Sequence, residues 1–223
     1  LNQSTGDREK VAKVKKIYSE LNDALGRATA VYGPIDEWCG NEPKWTCNKK
    51  FAERLKDFLK LSKDCNTGRG CFTDNKITFL NGEVSDNYPE TCSSSCNKFI
   101  LQNGISISTM CHYTDFSDNT LSDDLNSPAR NRGFVIDVDI DGPNKGSLTY
   151  GKDYFGFWVT KSGIVPGCIP FSNCGDDIVT SCFQKGHCTG WVIETGNMDY
   201  LKADRNGKCP NGTQLSWENT RCK

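Results

Sequence analysis

The chain lacks an excess of charge of either sign, because 28 Asp and Glu residues balance 27 Lys and Arg residues among 223. A protein that binds nucleic acid mainly through phosphate contacts has a basic excess, so we predict no nucleic-acid partner. The chain also has no run of about 20 consecutive apolar residues that would span a membrane. Its length is sufficient for a hydrophobic core and fits one globular domain, 1–223.

Signatures of catalysis are missing too. The chain contains no G-x-S-x-G, no H-E-x-x-H and no glycine-rich phosphate loop. Its two histidines, His112 and His187, each adjoin a cysteine. Neighbours on a strand point to opposite faces, so neither pair forms a nucleophile with its base. An exported hydrolase with paired carboxylates stays open, but no pair is marked, and we predict that the protein is not an enzyme.

Cysteine, by contrast, is abundant, with 13 residues. Zinc sites need close pairs such as C-x2-C or matching histidines, and the chain has no C-x2-C. The count therefore favours disulfides and an exported protein. Because short loops close most readily, pairing of sequence neighbours is expected. The predicted bridges are Cys39–Cys47, Cys65–Cys71, Cys92–Cys96, Cys168–Cys174, Cys182–Cys188 and Cys209–Cys222.

This pairing leaves Cys111 without a partner. It falls on the apolar side of a predicted strand, 105–111, where a free thiol packs as a small hydrophobic side chain. The alternative is an exposed thiol that forms a bond between subunits.

Two helices are predicted from hydrophobic spacing. Apolar residues recur at steps of three and four over 7–32, which indicates an amphipathic helix that begins at Asp7 and ends at Gly33–Pro34. The same spacing is open to a coiled-coil interpretation. Apolar positions that widen the stripe are Ile17, Ala24 and Val31. A second helix is predicted over 46–63.

The remaining chain predicts an irregular insert and a sheet. Residues 64–98 are rich in small polar residues and carry four cysteines. Alternation predicts strands at 105–111, 133–141, 153–159 and 189–193. The expected fold is α+β: an N-terminal helix (1–33) packed on a small antiparallel sheet (105–200), with a second helix and cysteine-rich insert (34–104) and a disulfide-closed tail (201–223).

The strand 133–141 has one acidic face, which suggests a metal site. Carboxylates that alternate before a glycine turn resemble the start of a calcium loop, although position 12 of an EF-hand would fall on Leu148. A calcium ion would take its ligands from Asp137, Asp139, Asp141, Asn144 and Asp153. The alternative is a solvated strand face whose acids pair with nearby lysines.

Three segments carry a resemblance to a known family. They are VKKIYSELN with ALGRA (14–22 and 24–28), FVIDVDIDGPNKG with GKDYFGF (134–146 and 151–157), and GWVIETGNMDY (190–200). These resemble, in turn, the helix after the hydrophobic anchor, the loop region and the last strand region of type IV pilin-like proteins, the family of bacterial pilins and type II secretion pseudopilins. Some pseudopilins bind calcium in this loop, so the resemblance favours calcium at the acidic residues.

The resemblance implies the function of a structural subunit in a type IV pilus or related extracellular filament. It implies partners that are copies of the chain or related pilins. It also implies a missing N-terminal anchor, cut by a prepilin peptidase, that holds the subunit in the inner membrane before assembly. The alternative is a secreted binding module or adhesin on a calcium-braced sheet.

Overall fold

The computed structural model of the protein describes residues 5–92, 95–170, 172, 174 and 177–223. Parts of the predicted segments lie outside these residues: 1–4 of the first helix segment, 93 and 94 of the insert, and 171, 173, 175 and 176 of the sheet region. Helix α1, Thr5–Tyr32, confirms the first predicted helix, but the predicted start at Asp7 is wrong, because Asp7 lies within the first turn. It ends at Gly33, whose N–H donates to the Thr29 carbonyl (3.0 Å) with a φ of 83°.

The apolar stripe of α1 is covered within the chain itself. Its buried residues follow the predicted spacing: Val11, Val14, Ile17, Leu21, Ala24, Leu25 and Ala28. A helix whose stripe is already buried has no seam left for a second helix, so the coiled-coil interpretation is wrong. Val31, which the spacing placed in the stripe, is 63% exposed and was wrongly included.

The second helix is shorter than predicted. Helix α2 covers Lys44–Lys56 and ends at Asp57, whereas the spacing predicted 46–63. The end of the predicted helix belongs instead to strand β1, Leu61–Asn66, which pairs with β2, Cys96–Leu101. The Ser62 hydroxyl donates to the carbonyls of Ile100 and Leu101 in that strand. Edge-strand pairing therefore overrides the helical spacing here.

In the described part of the chain, six antiparallel strands follow one another in a meander, β1 to β6. The others are β2 (Cys96–Leu101), β3 (Ser106–Cys111), β4 (Arg132–Asp139), β5 (Tyr154–Thr160) and β6 (Gly163–Pro166). Strands β3, β4 and β5 confirm the predictions at 105–111, 133–141 and 153–159. The sheet begins at Leu61, so the predicted range 105–200 missed its first two strands.

The predicted strand at 189–193 is wrong, because Thr189–Thr195 is helix α3. Gly196 closes it with a φ of 65°, the left-handed conformation typical of the residue after a helix. Gly190 lets the helix approach the sheet, since a Cβ there would lie 2.0 Å from the Cys168 carbonyl oxygen. Trp191 and Val192 are then fully buried.

Helices α1, α2 and α3 cover the same face of the sheet. Tyr18 of α1 stacks on Phe157 of β5 (5.8 Å between centroids), and Phe51 of α2 stacks on Phe134 of β4 (4.2 Å). Helix α1 also approaches β6, α2 and α3. The predicted inward face of β4, Phe134, Ile136 and Val138, is fully buried in the same core as the α1 stripe. The fold is therefore α+β, with helices on one face of an antiparallel sheet.

All six predicted disulfides are present. Two of them fasten the insert beside β1 and β2, and Cys209–Cys222 closes the tail. Cys111 is free and buried, as predicted, and its Sγ lies 3.6 Å from Sγ of Cys47.

Candidate functional site

The acidic face of β4 is covered by protein. The alternative prediction of a solvated strand face did not include such a cover. The insert between β1 and β2 folds over this side of the sheet. A second apolar cluster joins the two layers, with Phe72 and Ile77 from the insert and Ile100 and Tyr154 from the strands. Glu90 of the insert accepts hydrogen bonds from the N–H groups of Gly70 and Phe72, and its carbonyl accepts one from the buried ammonium of Lys98 on β2.

Asp139 lies at the end of β4 and is fully buried. Its Oδ1 accepts hydrogen bonds from the N–H groups of Asp141 (3.0 Å) and Gly142 (3.1 Å). Its Oδ2 is buried without a hydrogen-bond partner among the described residues. Burial raises the pKa of Asp139 to about 7, and the negative charge of Asp153 acts in the same direction. Asp139 is therefore a carboxylate that either holds a proton or needs a cation.

The other predicted calcium ligands are placed differently. Asp153 is buried, and its Oδ1 accepts the N–H of Thr149. Asp141 forms an ion pair with Lys13 of α1 (3.0 Å), and Asn144 is exposed on the turn. Asp137 faces a cavity.

Asp139 and Asp153 are thus brought together. Among residues 5–92, 95–170, 172, 174 and 177–223, no three His, Cys, Asp or Glu side chains are grouped to hold a metal ion. The buried, unpartnered oxygen of Asp139 is suited to a cation, and calcium at this loop stays a prediction.

A cavity of about 740 Å³ lies between the covered face of the sheet and the insert. Its floor is made by outward residues of β3, β4 and β5, and its rim by residues 86–92 of the insert. This volume falls within the usual range of ligand pockets, about 300–1,000 Å³. Ring-bearing side chains line it: Tyr88, His112, Tyr150, Tyr154, Trp158 and His187.

Asp137 lies at the centre of the cavity floor. Its neighbours across the sheet are Ser108 on β3 and Gly156 on β5, both small, so the carboxylate is open to the cavity. A Cβ on Gly156 would lie 3.2 Å from Oδ1 of Asp137. The Tyr150 hydroxyl donates to the same oxygen over a long 3.5 Å, and the Tyr154 hydroxyl is a second donor.

Burial raises the pKa of Asp137 to about 7, against the smaller opposite effect of the two tyrosine hydroxyls. The tyrosines keep their protons, because burial raises the pKa of both phenols well above the usual range. Perturbed carboxylates in cavities are typical of functional sites. The weak donors around Asp137 leave room for a stronger partner.

Two histidines reach the cavity from opposite sides. His112 follows β3, and its neighbour Cys111 points into the core, as the strand geometry predicted. His187 packs on Tyr150, with 4.7 Å between ring centroids. Burial lowers the pKa of both imidazoles, and the Arg132 charge lowers that of His112 further. Both rings are therefore neutral at neutral pH.

Sequence reasoning missed this cavity, although one signal was present. Tyr154, Gly156 and Trp158 alternate along β5 and share its outward face, where a solvated strand would carry polar residues. The insert that forms the rim comes from about fifty residues earlier in the chain, and its position over the sheet has no local signature.

Comparison of the chain with protein-family models, with characterised proteins and with solved structures found no match. In the part of the chain that the structure describes, no helix is both long enough and apolar enough to cross a membrane.

Proposed function

We propose that the chain is a structural subunit of an extracellular type IV pilus or pilus-like filament. The observation that carries the proposal is α1, which lays one continuous stripe from Val11 to Ala28 on the helix-bearing side of an antiparallel sheet. A long first helix on such a sheet is what the pilin resemblance implies. Residues 5–10 of α1, which precede Val11, lie outside the buried stripe. In the proposed subunit, an anchor segment would continue the helix from this end.

The disulfides support a location outside the cytoplasm. Six bridges in one chain form and persist in an oxidising compartment. In the proposed assembly the anchor helices of neighbouring subunits supply most of the cohesion. The partners are other copies of the chain or related pilins, and the inner membrane holds the subunit before assembly.

The coding sequence upstream of Leu1 tests this proposal. We expect a short basic leader that ends in Gly, followed by an apolar segment of about 20 residues. A conventional cleavable secretory signal in that place would contradict a filament subunit. In this proposal the cohesion comes from a segment that precedes residue 1, so a protein of residues 1–223 should sediment as a monomer, and a stable oligomer would count against the same reasoning.

A second function, ligand binding by a secreted module, is favoured by the cavity over Asp137. Its size, its ring-bearing walls and its recessed carboxylate are those of a small-molecule site. The two functions are compatible, since the cavity lies on the opposite side of the sheet from α1.

A further inference from the structure

We propose that the cavity between the insert and the sheet binds an organic ammonium group, with the Asp137 carboxylate as its counter-ion and the rings of Tyr150, Tyr154 and Trp158 as its walls. The inference deepens the ligand-binding function and is independent of the filament role. It names the chemical class of the ligand.

Among the described residues, Asp137 has no cationic partner. The groups that favour its charged form are the hydroxyls of Tyr154 and Tyr150, and none of the ion pairs among the described residues joins it to a Lys, Arg or His. Arg132, the guanidinium on the cavity wall, is held by Asp118 at 2.6 Å. A carboxylate at the base of a largely apolar cavity therefore has two neutral donors and space above it.

Aromatic rings form the cavity wall beside Asp137. Tyr150 and Tyr154 meet edge to face, with 4.9 Å between their centroids, directly beside Asp137. Trp158 stands four residues after Tyr154 on the same outward face of β5. Aromatic rings attract cations through the negative potential of their faces, and an alkylammonium also gains from contact with apolar carbon. A carboxylate below and rings around it match both parts of such a ligand.

The small number of oxygen ligands near Asp137 favours an ammonium group over a metal ion. Hard cations such as calcium need six or more oxygen ligands. Around Asp137 the structure offers one carboxylate and phenol oxygens, and the described residues contain no group of three metal-ligating side chains. Gly156 keeps the space beside the carboxylate open, and that space is larger than a bare ion requires.

Choline and its uncharged analogue 3,3-dimethylbutan-1-ol test the proposal, because they share a shape and differ in charge. Titration calorimetry on the chain 1–223, at constant ionic strength and pH 8, should show that choline binds at least about tenfold more tightly than the alcohol. Asp137→Asn should weaken choline binding by about tenfold or more and leave the alcohol unchanged within about twofold. Asp123→Asn, at an exposed acid outside the cavity, is the matched control and should bind as the wild type does.

A second variant, Trp158→Leu, guards against a folding effect at Asp137. It should weaken choline more than the alcohol, because it removes a ring and keeps an apolar wall. Equal affinity for choline and the alcohol, unaffected by Asp137→Asn, would overturn the ammonium inference and leave a ligand-binding cavity. Absence of binding by either compound would overturn both.

Discussion

Replacement of Asp139 with asparagine should stabilise the protein at pH 8 and have little effect at pH 4. Asp139 is fully buried, and burial raises its pKa to about 7 from the ordinary 3.8. At a pH between these two pKa values, Asp139 holds a proton in the folded state that it has lost in the unfolded chain. The free energy of unfolding therefore falls as the pH rises. The upper limit of this loss is about 4 kcal/mol. Asparagine keeps an amide oxygen for the N–H groups of Asp141 and Gly142.

Urea unfolding with the disulfides intact, followed by circular dichroism in calcium-free buffer, measures this difference. Asp137 titrates in the same range, so the comparison between variant and wild type isolates Asp139. Asp123→Asn, at an exposed acid, is the control and should follow the wild type within about 0.5 kcal/mol. If Asp139→Asn also follows the wild type at both pH values, the buried charge is not a source of instability and the reasoning fails.

The same urea unfolding measurement tests the predicted calcium site. Calcium at a hundred times its dissociation constant should add about 2.7 kcal/mol to the wild type at pH 8, and Asp139→Asn should lose that gain. A wild type whose unfolding is the same with calcium and with chelator would exclude the site.

Three further predictions concern the core and the cysteines. Leu21→Ala should cost about 2–5 kcal/mol of unfolding free energy, because Leu21 is fully buried. Val31→Ala on the same helix should change it by less than about 0.5 kcal/mol, since Val31 is 63% exposed, and equal effects in urea unfolding would contradict the packing of α1. In Cys39→Ser, Cys47 should pair with Cys111, whose Sγ lies 3.6 Å away, and non-reducing peptide mapping that finds both thiols free would refute this. Burial raises the pKa of Cys111 to about 11, so iodoacetamide at pH 8 should label it only after denaturation, and labelling of the native protein would show the thiol to be accessible.

Features set by neighbouring residues could be predicted from the sequence. The stripe of α1, the alternation of β4 and the short disulfide loops each depend on spacing within a segment, and a local pattern records that spacing. The free thiol of Cys111 could be predicted by elimination, because each of the other cysteines has a close cysteine neighbour along the chain.

Features set by distant residues could not be predicted in this way. Residues 189–193 read as a strand, yet they form α3 because Gly190 fits against Cys168 and Trp191 fills the core. The glycine at position 196, which adopts the left-handed conformation after α3, was the one local signal for a helix end. The acidic face of β4 is covered because Glu90 and Lys98 hold the insert over it, and that contact has no signature at Asp137 or Asp139.

The central claim, that the chain is a filament subunit, is tested most directly by mass spectrometry of filaments sheared from the cells that make it. We expect peptides of this chain in the sheared fraction, joined at Leu1 to an apolar segment that begins at a processed N-terminus. Recovery of the chain only as a soluble monomer, with its N-terminus created by secretory signal cleavage, would contradict the claim.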